Sequence, residues 1–150
     1  MDKKFESFLK IAKAFNSHQI VPTLYGSLGL YRVLDQTGEV NDIDIIIPAI
    51  YLSDKWDELI EIMAEAGYKQ DSTFPHEFVN GGTRVGFESD ADLYADINPE
   101  NFNITQVDNV EFKELKAEEY LASYRKTVEV WEEKIEKYKE KIKTLEDLLR

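Results

Sequence analysis

Segment 21–48 constrains the fold of this 150-residue chain more than any other. A short apolar stretch ends at Tyr25, and a Gly-Ser pair and a helical pattern over about 28–34 follow it. After a polar loop, Asp42 and Asp44 alternate with isoleucines. Such alternation is typical of a β-strand whose two faces have different surroundings. The segment therefore predicts two strands joined by a short helix and a loop.

Asp42 and Asp44 are candidate metal ligands. Side chains two residues apart on a strand point the same way, so both carboxylates lie on one face. The isoleucines at 43, 45 and 47 mainly fill the other face. Neighbouring carboxylates repel each other unless a cation lies between them or one is protonated. Mg²⁺ suits such oxygen ligands and is usually held by one or two carboxylates and the substrate's phosphates. Alternating acids also keep a half-exposed strand soluble, so the pair alone does not establish a metal site.

The Gly26-Ser27 pair is a candidate phosphate-binding turn. Glycine lets the backbone turn tightly and come close to a ligand. The helix that follows offers free N–H groups at its N-terminus, where anions bind. Ser27 can cap that helix or turn its hydroxyl to a phosphate. Arg32, on the same helix, is a further candidate phosphate ligand, although a solvated arginine would give the same pattern.

The order strand, Gly-Ser, helix, loop and Asp-x-Asp strand resembles the signature of the nucleotidyltransferase superfamily, carried here by Gly26, Ser27, Asp42 and Asp44. The similarity is to small single-domain members, including minimal nucleotidyltransferases and the enzymes that modify aminoglycosides and lincosamides. The resemblance implies an α+β fold, with a mixed sheet flanked by helices and a long C-terminal helix. It also implies that the two aspartates bind Mg²⁺, with two ions in an active enzyme. Gly26, Ser27 and Arg32 would then hold the nucleoside triphosphate.

The resemblance implies a third carboxylate on the neighbouring strand, which helps to deprotonate the attacking hydroxyl. Measured from the predicted hairpin turn, its slot falls at Gly86, which carries no acid. Glu88 lies two residues further on the same face and is our first candidate for a metal-binding and catalytic acid at a shifted position. Asp96 and Asp92, each between apolar neighbours, are the second and third candidates. A chain without the third acid is the alternative.

Hydrophobic periodicity and turn residues predict the remaining elements up to residue 112. An amphipathic helix opens the chain and ends near His18, and another spans 53–66, with Gly67 at its C-terminus. Asn80-Gly81 is a strong hairpin signal. Two hairpins are expected, with strands at about 77–79 and 83–88 and at 104–107 and 110–112.

The C-terminal segment, about 116–150, is predicted to be helical and carries a heptad seam in its second part. Steps of three and four residues alternate along Val128, Trp131, Ile135, Tyr138, Ile142, Leu145 and Leu149. Such a narrow stripe fits either docking against the core, residues 1–115, or pairing with a second chain in a homodimer. By the resemblance, Arg125 or Lys126 in this segment would face the nucleotide or the acceptor.

Length and composition limit the class of protein. A chain of this length is one domain by the usual size of domains. It has 30 acidic and 18 basic residues and a net charge of −12, which argues against nonspecific binding to nucleic acid or anionic lipid. The lack of cysteine excludes a disulfide and a thiol nucleophile. Because the sequence has no signal peptide and no membrane-spanning apolar run, it indicates a cytoplasmic protein.

Three functions are compatible with these patterns. The first is an enzyme that transfers a nucleoside monophosphate from a Mg²⁺-bound nucleoside triphosphate to a hydroxyl of a small molecule or a protein. The alternative is a degenerate nucleotidyltransferase-fold protein that binds nucleotide or a protein without turnover, which Gly86 in the acid slot favours. The third is a structural protein whose terminal helix pairs with another chain.

Overall fold

A mixed β-sheet forms the centre of the molecule. The computed structural model describes residues 2–93 and 97–150, with the backbone alone of Asp92. The strands in these residues are β1 (Thr23–Tyr25), β2 (Ile43–Ile47), β3 (Lys69–Gln70), β4 (Glu77–Asn80), β5 (Thr83–Ser89), β6 (Asn103–Val107) and β7 (Val110–Glu114). Their order in the sheet is β3-β4-β5-β2-β1-β7-β6. The pairs β1–β7 and β2–β5 are parallel, and the other neighbours are antiparallel.

Helices flank this sheet, which confirms the predicted α+β class. In the described residues they are α1 (Lys3–Ser17), α2 (Gly26–Leu34), α3 (Trp56–Glu65), α4 (Ala117–Val130) and α5 (Ile135–Leu148). Helix α1 ends next to His18, as predicted. Helix α2 begins at Gly26 rather than near residue 28, and α3 begins later than residue 53 because a 3₁₀ turn follows β2. No helix within residues 2–93 and 97–150 is long and apolar enough to cross a bilayer.

Both predicted hairpins are present. Strands β4 and β5 are joined at Gly81, which has a φ of +57°. Strands β6 and β7 are joined through Asp108 and Asn109, with φ of +51° and +65°. The turn between β6 and β7 thus has positive φ at both central residues, which is typical of the type I′ turn, whose twist matches that of the strands. These turns fix the register of the outer strands and therefore the neighbours of each site residue.

The alternation of β2 divides the core between the two faces of the sheet. Ile43, Ile45 and Ile47 pack with apolar side chains of α1 and α3 on one face. Ile46 packs on the opposite face, with the tyrosines and leucines of α4 and α5. Since Asp44 shares the face of Ile46, its carboxylate points to the side of the sheet that α4 and α5 cover. The isoleucine pattern was therefore a correct guide to the face of Asp44.

The C-terminal segment forms a helical hairpin instead of one continuous helix. The chain leaves α4 at Trp131, whose φ and ψ of −121° and 92° are extended, and α5 then packs back along α4. The rings of Tyr124 and Tyr138 stack with centroids 4.6 Å apart. Arg125 pairs with Glu146 at 2.6 Å. The inner part of the heptad seam thus docks within the same chain.

Candidate functional site

Four neighbouring strands form a row of paired residues across the sheet that contains Asp44. Asp44 on β2 pairs with Tyr25 on β1 and with Gly86 on β5. Gly86 in turn pairs with Glu77 on β4. Paired residues on adjacent strands project from the same face of a sheet. The row therefore brings two carboxylates, Asp44 and Glu77, to either side of a glycine.

The Gly-Ser turn meets Asp44 directly. Gly26 has a φ of +64°, and a Cβ at this position would collide with the Asp44 carboxylate. Tyr25, the N-cap residue of α2, gives this helix no side-chain cap in the described part of the chain. The first N–H groups of α2 therefore lie beside the carboxylate, at the end of the helix that attracts anions. The structure thus brings together Gly26 and Asp44, two of the candidate residues from the sequence.

Asp44 is a carboxylate with a strongly shifted pKa. Burial, and then the nearby charge of Asp42, raise its pKa from 3.8 to about 6. Lys137 and Lys141 act in the opposite direction, and Glu77 raises the pKa further. The ionised form of Asp44 is therefore disfavoured, and a cation bound beside the carboxylate would stabilise it.

Two lysines of α5 complete the site on its helical side. The ammonium group of Lys141 donates a hydrogen bond to the Ser27 hydroxyl oxygen at 2.7 Å. Burial and the neighbouring Lys137 lower the pKa of Lys141, whereas Asp44 raises it. The sequence analysis missed both lysines and pointed to Arg125 and Lys126. Lys137 and Lys141 could have been found from their spacing on α5, because they lie one residue before and three residues after Tyr138, which packs against the core.

A cavity of about 250 Å³ joins the acidic residues. It is lined by Asp42, Asp44, His76, Glu77, Gly86, Phe87 and Glu88. Within residues 2–93 and 97–150, no three acidic or histidine side chains are already placed to hold one metal ion. Asp42 and Asp44 together still satisfy the common arrangement of one or two carboxylates plus substrate phosphates. The cavity beside these two aspartates is open to such a ligand, so the residues present fit a Mg²⁺ ion that arrives with a nucleotide.

Of the candidates for the third carboxylate, the structure describes the surroundings of Glu88. Gly86, in the predicted slot, is the register partner of Asp44. Glu88 pairs with Ile46 and lines both the acidic cavity and a second one of about 150 Å³. Asp96 lies outside the described residues, as does the side chain of Asp92. The residue of β5 directly beside Asp44 is therefore Gly86, which carries no acid.

The predicted basic ligands lie in other surroundings. Arg32 pairs with Glu114 at 3.1 Å, and its guanidinium lies 4.1 Å from the centroid of the Phe5 ring. It lines a separate cavity of about 570 Å³ beside α1 and the loop after α2. Arg125 pairs with Glu146, and Lys126 pairs with a residue one helical turn away. The structure does not bring these side chains together with Asp42 and Asp44.

Comparison with known proteins supports the fold. No protein-family model matches the chain. It is 36% identical over 129 residues to the uncharacterized protein YnaI of Bacillus subtilis (strain 168), covering 84% of this chain and 83% of YnaI. The solution structure of the antibiotic-resistance factor ANT(2'')-Ia matches 87% of this chain and 75% of its own, with a TM-score of 0.57 and 14% identity. The crystal structure of ANT(2'')-Ia in complex with adenylyl-2''-tobramycin matches 94% of both chains, with a TM-score of 0.56 and 16% identity. These two likenesses show a nucleotidyltransferase-like fold.

Proposed function

The chain belongs to the same family as YnaI of Bacillus subtilis, and from the site that its nucleotidyltransferase-like fold builds we propose that it is a nucleotidyltransferase. It would transfer a nucleoside monophosphate from a Mg²⁺-bound nucleoside triphosphate to a hydroxyl group. The observation that carries the proposal is the contact of the Gly26-Ser27 turn with the Asp44 carboxylate, beneath the lysines of α5. A carboxylate, a helix N-terminus and ammonium groups in one place match the charges of a metal-bound triphosphate.

Each residue of the site has a role in the proposed reaction. Asp42 and Asp44 would hold Mg²⁺, together with a third acid from the same cavity, Glu88 or Glu77. Bound Mg²⁺ would offset the negative charge of the phosphates and of the carboxylates. The backbone of Gly26, the Ser27 hydroxyl and the ammonium groups of α5 would bind the phosphate oxygens. Arg32 has no part in this arrangement, since it is paired with Glu114 at the other cavity.

The proposed chemistry is a displacement at the α-phosphorus. The acceptor oxygen forms a bond to that phosphorus, and the bond from the phosphorus to the oxygen that leads to the β-phosphate breaks. Pyrophosphate leaves, and the hydroxyl proton passes to a carboxylate or to water. Positioning and charge neutralisation supply most of the rate in phosphoryl-group chemistry of this kind. The second cavity, which shares Glu88 with the first and is lined by Tyr25, Trp131 and Tyr138, is the proposed place for the acceptor.

Titration calorimetry tests this proposal. Mg²⁺ with the α,β-methylene analogues of ATP, GTP, CTP and UTP, each in turn, is titrated into the wild type and Asp44→Asn. We expect metal-dependent binding of at least one analogue by the wild type and loss of that binding in the variant. Binding that needs no Mg²⁺, or that persists in Asp44→Asn, contradicts the proposed site.

A binding module is the second candidate function. It is favoured by Gly86, which leaves the register partner of Asp44 without a carboxylate. Such a protein would bind the metal-bound nucleotide and retain it without turnover. The two candidates differ in pyrophosphate release, which only the enzyme would produce when an acceptor is present.

A homodimer through the helical hairpin is a further proposal. The outer side of α4 and α5 has a groove lined by Val128, Ile135 and Ile142, and Ile135 is 43% exposed. Lysine and glutamate side chains of α5 alternate along its rim. In a two-fold arrangement each lysine can face a glutamate of the second copy, so the rim is self-complementary.

A further inference from the structure

Glu77 and Asp44 approach each other across Gly86. Gly86 on β5 pairs with Glu77 of β4 on one side and with Asp44 of β2 on the other. All three therefore project from one face of the sheet. Glu88 is in register with Ile46 instead, and it lies two residues beyond Gly86 on the same face. Of the acids on β4 and β5, Glu77 is thus the one in the row of Asp44.

Gly86 lies between the side chains of Asp44 and Glu77. A Cβ built at this position would lie 3.5 Å from a carboxylate oxygen of Asp44 and 3.9 Å from the Cγ of Glu77. Both are ordinary van der Waals distances, so the side chains of Asp44 and Glu77 border the space that a longer residue would fill. The position that carries no acid is therefore enclosed by two acids.

Glu77 acts electrostatically on the same centre. It lines the acidic cavity with Asp42 and Asp44. Its charge is among the causes that raise the pKa of Asp44, after burial and Asp42. The carboxylate of Glu77 thus already interacts with the proposed metal ligands through space.

Arg84, which pairs with Glu77, has a second carboxylate partner. Arg84 donates to Glu77 at 3.3 Å and to Asp71 at the shorter distance of 2.9 Å. The Glu77 side chain is 29% exposed, so solvent and not packing surrounds part of it. Rotation of Glu77 toward Asp44 would leave Arg84 paired with Asp71.

We propose that Glu77 is the third carboxylate of the metal-nucleotide site and reaches it over Gly86. The acid comes from β4, the neighbour of the strand on which the superfamily resemblance placed it. Glu77 would turn from Arg84 to the cation when the metal-bound nucleotide enters. This inference rests on the proposed function and assigns one more ligand to the same site.

Calorimetry with Mg²⁺ and the α,β-methylene nucleotide that the wild type binds tests the inference without turnover. We expect Glu77→Gln to weaken metal-dependent binding by about tenfold or more. Asp71→Asn is the matched control, because it disturbs the same arginine outside the cavity and should stay within about twofold of the wild type. In the Glu77→Gln background, Gly86→Asp should restore part of the affinity, since the new carboxylate would start beside Asp44. Thermal unfolding of each variant verifies that it is folded.

The outcomes separate the inference from the proposed function. If the wild type shows no metal-dependent binding, the proposed function fails and the inference with it. If the wild type binds and Glu77→Gln binds equally well, the inference alone is overturned. A loss in Glu88→Gln instead would identify Glu88 as the third acid. An equal loss in Asp71→Asn would mean that Arg84, and not a metal contact, explains the effect, which also overturns the inference.

Discussion

At the scale of single residues, Asp44 combines a place in the candidate site with an energetic cost. Its carboxylate contacts Gly26 on one side and borders the space over Gly86 on the other. Burial and Asp42 raise its pKa to about 6. The folded protein therefore holds a proton on Asp44 more readily than the unfolded chain does, and ionisation of this group opposes folding in the absence of a cation.

Asp44→Asn should stabilise the metal-free protein at neutral pH. The unfolded carboxyl ionises near 3.8 and the folded one near 6, so the cost is absent below about pH 4, grows between these values and is complete above pH 6. The shift corresponds to about 3 kcal/mol of added unfolding free energy for the variant at pH 7 and to well under about 1 kcal/mol at pH 4. Urea denaturation in EDTA at both pH values measures this.

The exposed Asp54 supplies the control, because Asp54→Asn should change stability little at either pH. A gain for Asp44→Asn that is the same at pH 4 and pH 7 would contradict the assigned cause.

Gly26→Ala should destabilise the fold more than a positive φ alone explains. The left-handed backbone costs a residue with a Cβ about 1–2 kcal/mol, and the collision with Asp44 adds to that. Gly81 is the matched control, since its φ is also positive but no atom lies within 4 Å of a Cβ there. Denaturant midpoints compare the two variants. Equal losses would show that the contact between Gly26 and Asp44 is not tight.

At the scale of elements, the C-terminal hairpin supplies what the β1–α2–β2 unit lacks. The unit provides carboxylates and a helix N-terminus, and α5 provides the ammonium groups of Lys137 and Lys141. Phosphates that carry several negative charges need both the N–H groups and the cations.

Lys141→Met should weaken binding of the Mg²⁺-bound nucleotide while keeping the apolar stem of the side chain. Loss of one charged hydrogen bond to phosphate corresponds to about tenfold in affinity. Lys143→Met is the control, as this residue lies on the same helix but lines the outer groove. Calorimetry measures both. An equal effect of the two substitutions would indicate general electrostatics and not a contact.

In the C-terminal segment the sequence pattern predicts the helices but not the turn between them. The heptad spacing correctly predicts helix on both sides of Trp131 and an inward stripe containing Tyr138 and Leu145. It does not predict the turn, because residues 131–134 include neither glycine nor proline. The turn brings Tyr124 and Tyr138 together in a stack, a contact between helices that no spacing along one helix encodes.

At the scale of the whole molecule, sheet pairing decides which acids meet. Alternation along β2 predicts the face of Asp44, and turn geometry predicts the hairpin of β4 and β5. The parallel pairing of β2 with β5 sets Asp44 beside Gly86 and, through it, near Glu77. This pairing joins segments far apart in the chain, so the sequence alone does not show that Glu77 lies in the row of Asp44.

The proposed homodimer predicts a change of oligomeric state on altering the outer groove. Ile135→Glu should convert the dimer to a monomer, because it places a charge in the apolar part of the groove. Truncation of residues 128–150 is a poorer test, since it also removes Leu145 from the core. Sedimentation equilibrium gives the masses, with Lys137→Met on the inner side as control. A wild-type protein that stays monomeric at high concentration contradicts the dimer.

The hydrogen bond between Ser27 and Lys141 joins residues 114 positions apart. Because of this separation, we expect the two parts of the site to assemble at different stages of folding. The turn, the aspartates and the first strands come from one short segment, and such local contacts form early in folding. The lysines arrive only when α5 docks, after closure of a loop that includes most of the chain. A molecule in which α5 alone has detached would keep its sheet and its carboxylates but lose the ammonium groups that we propose bind phosphate.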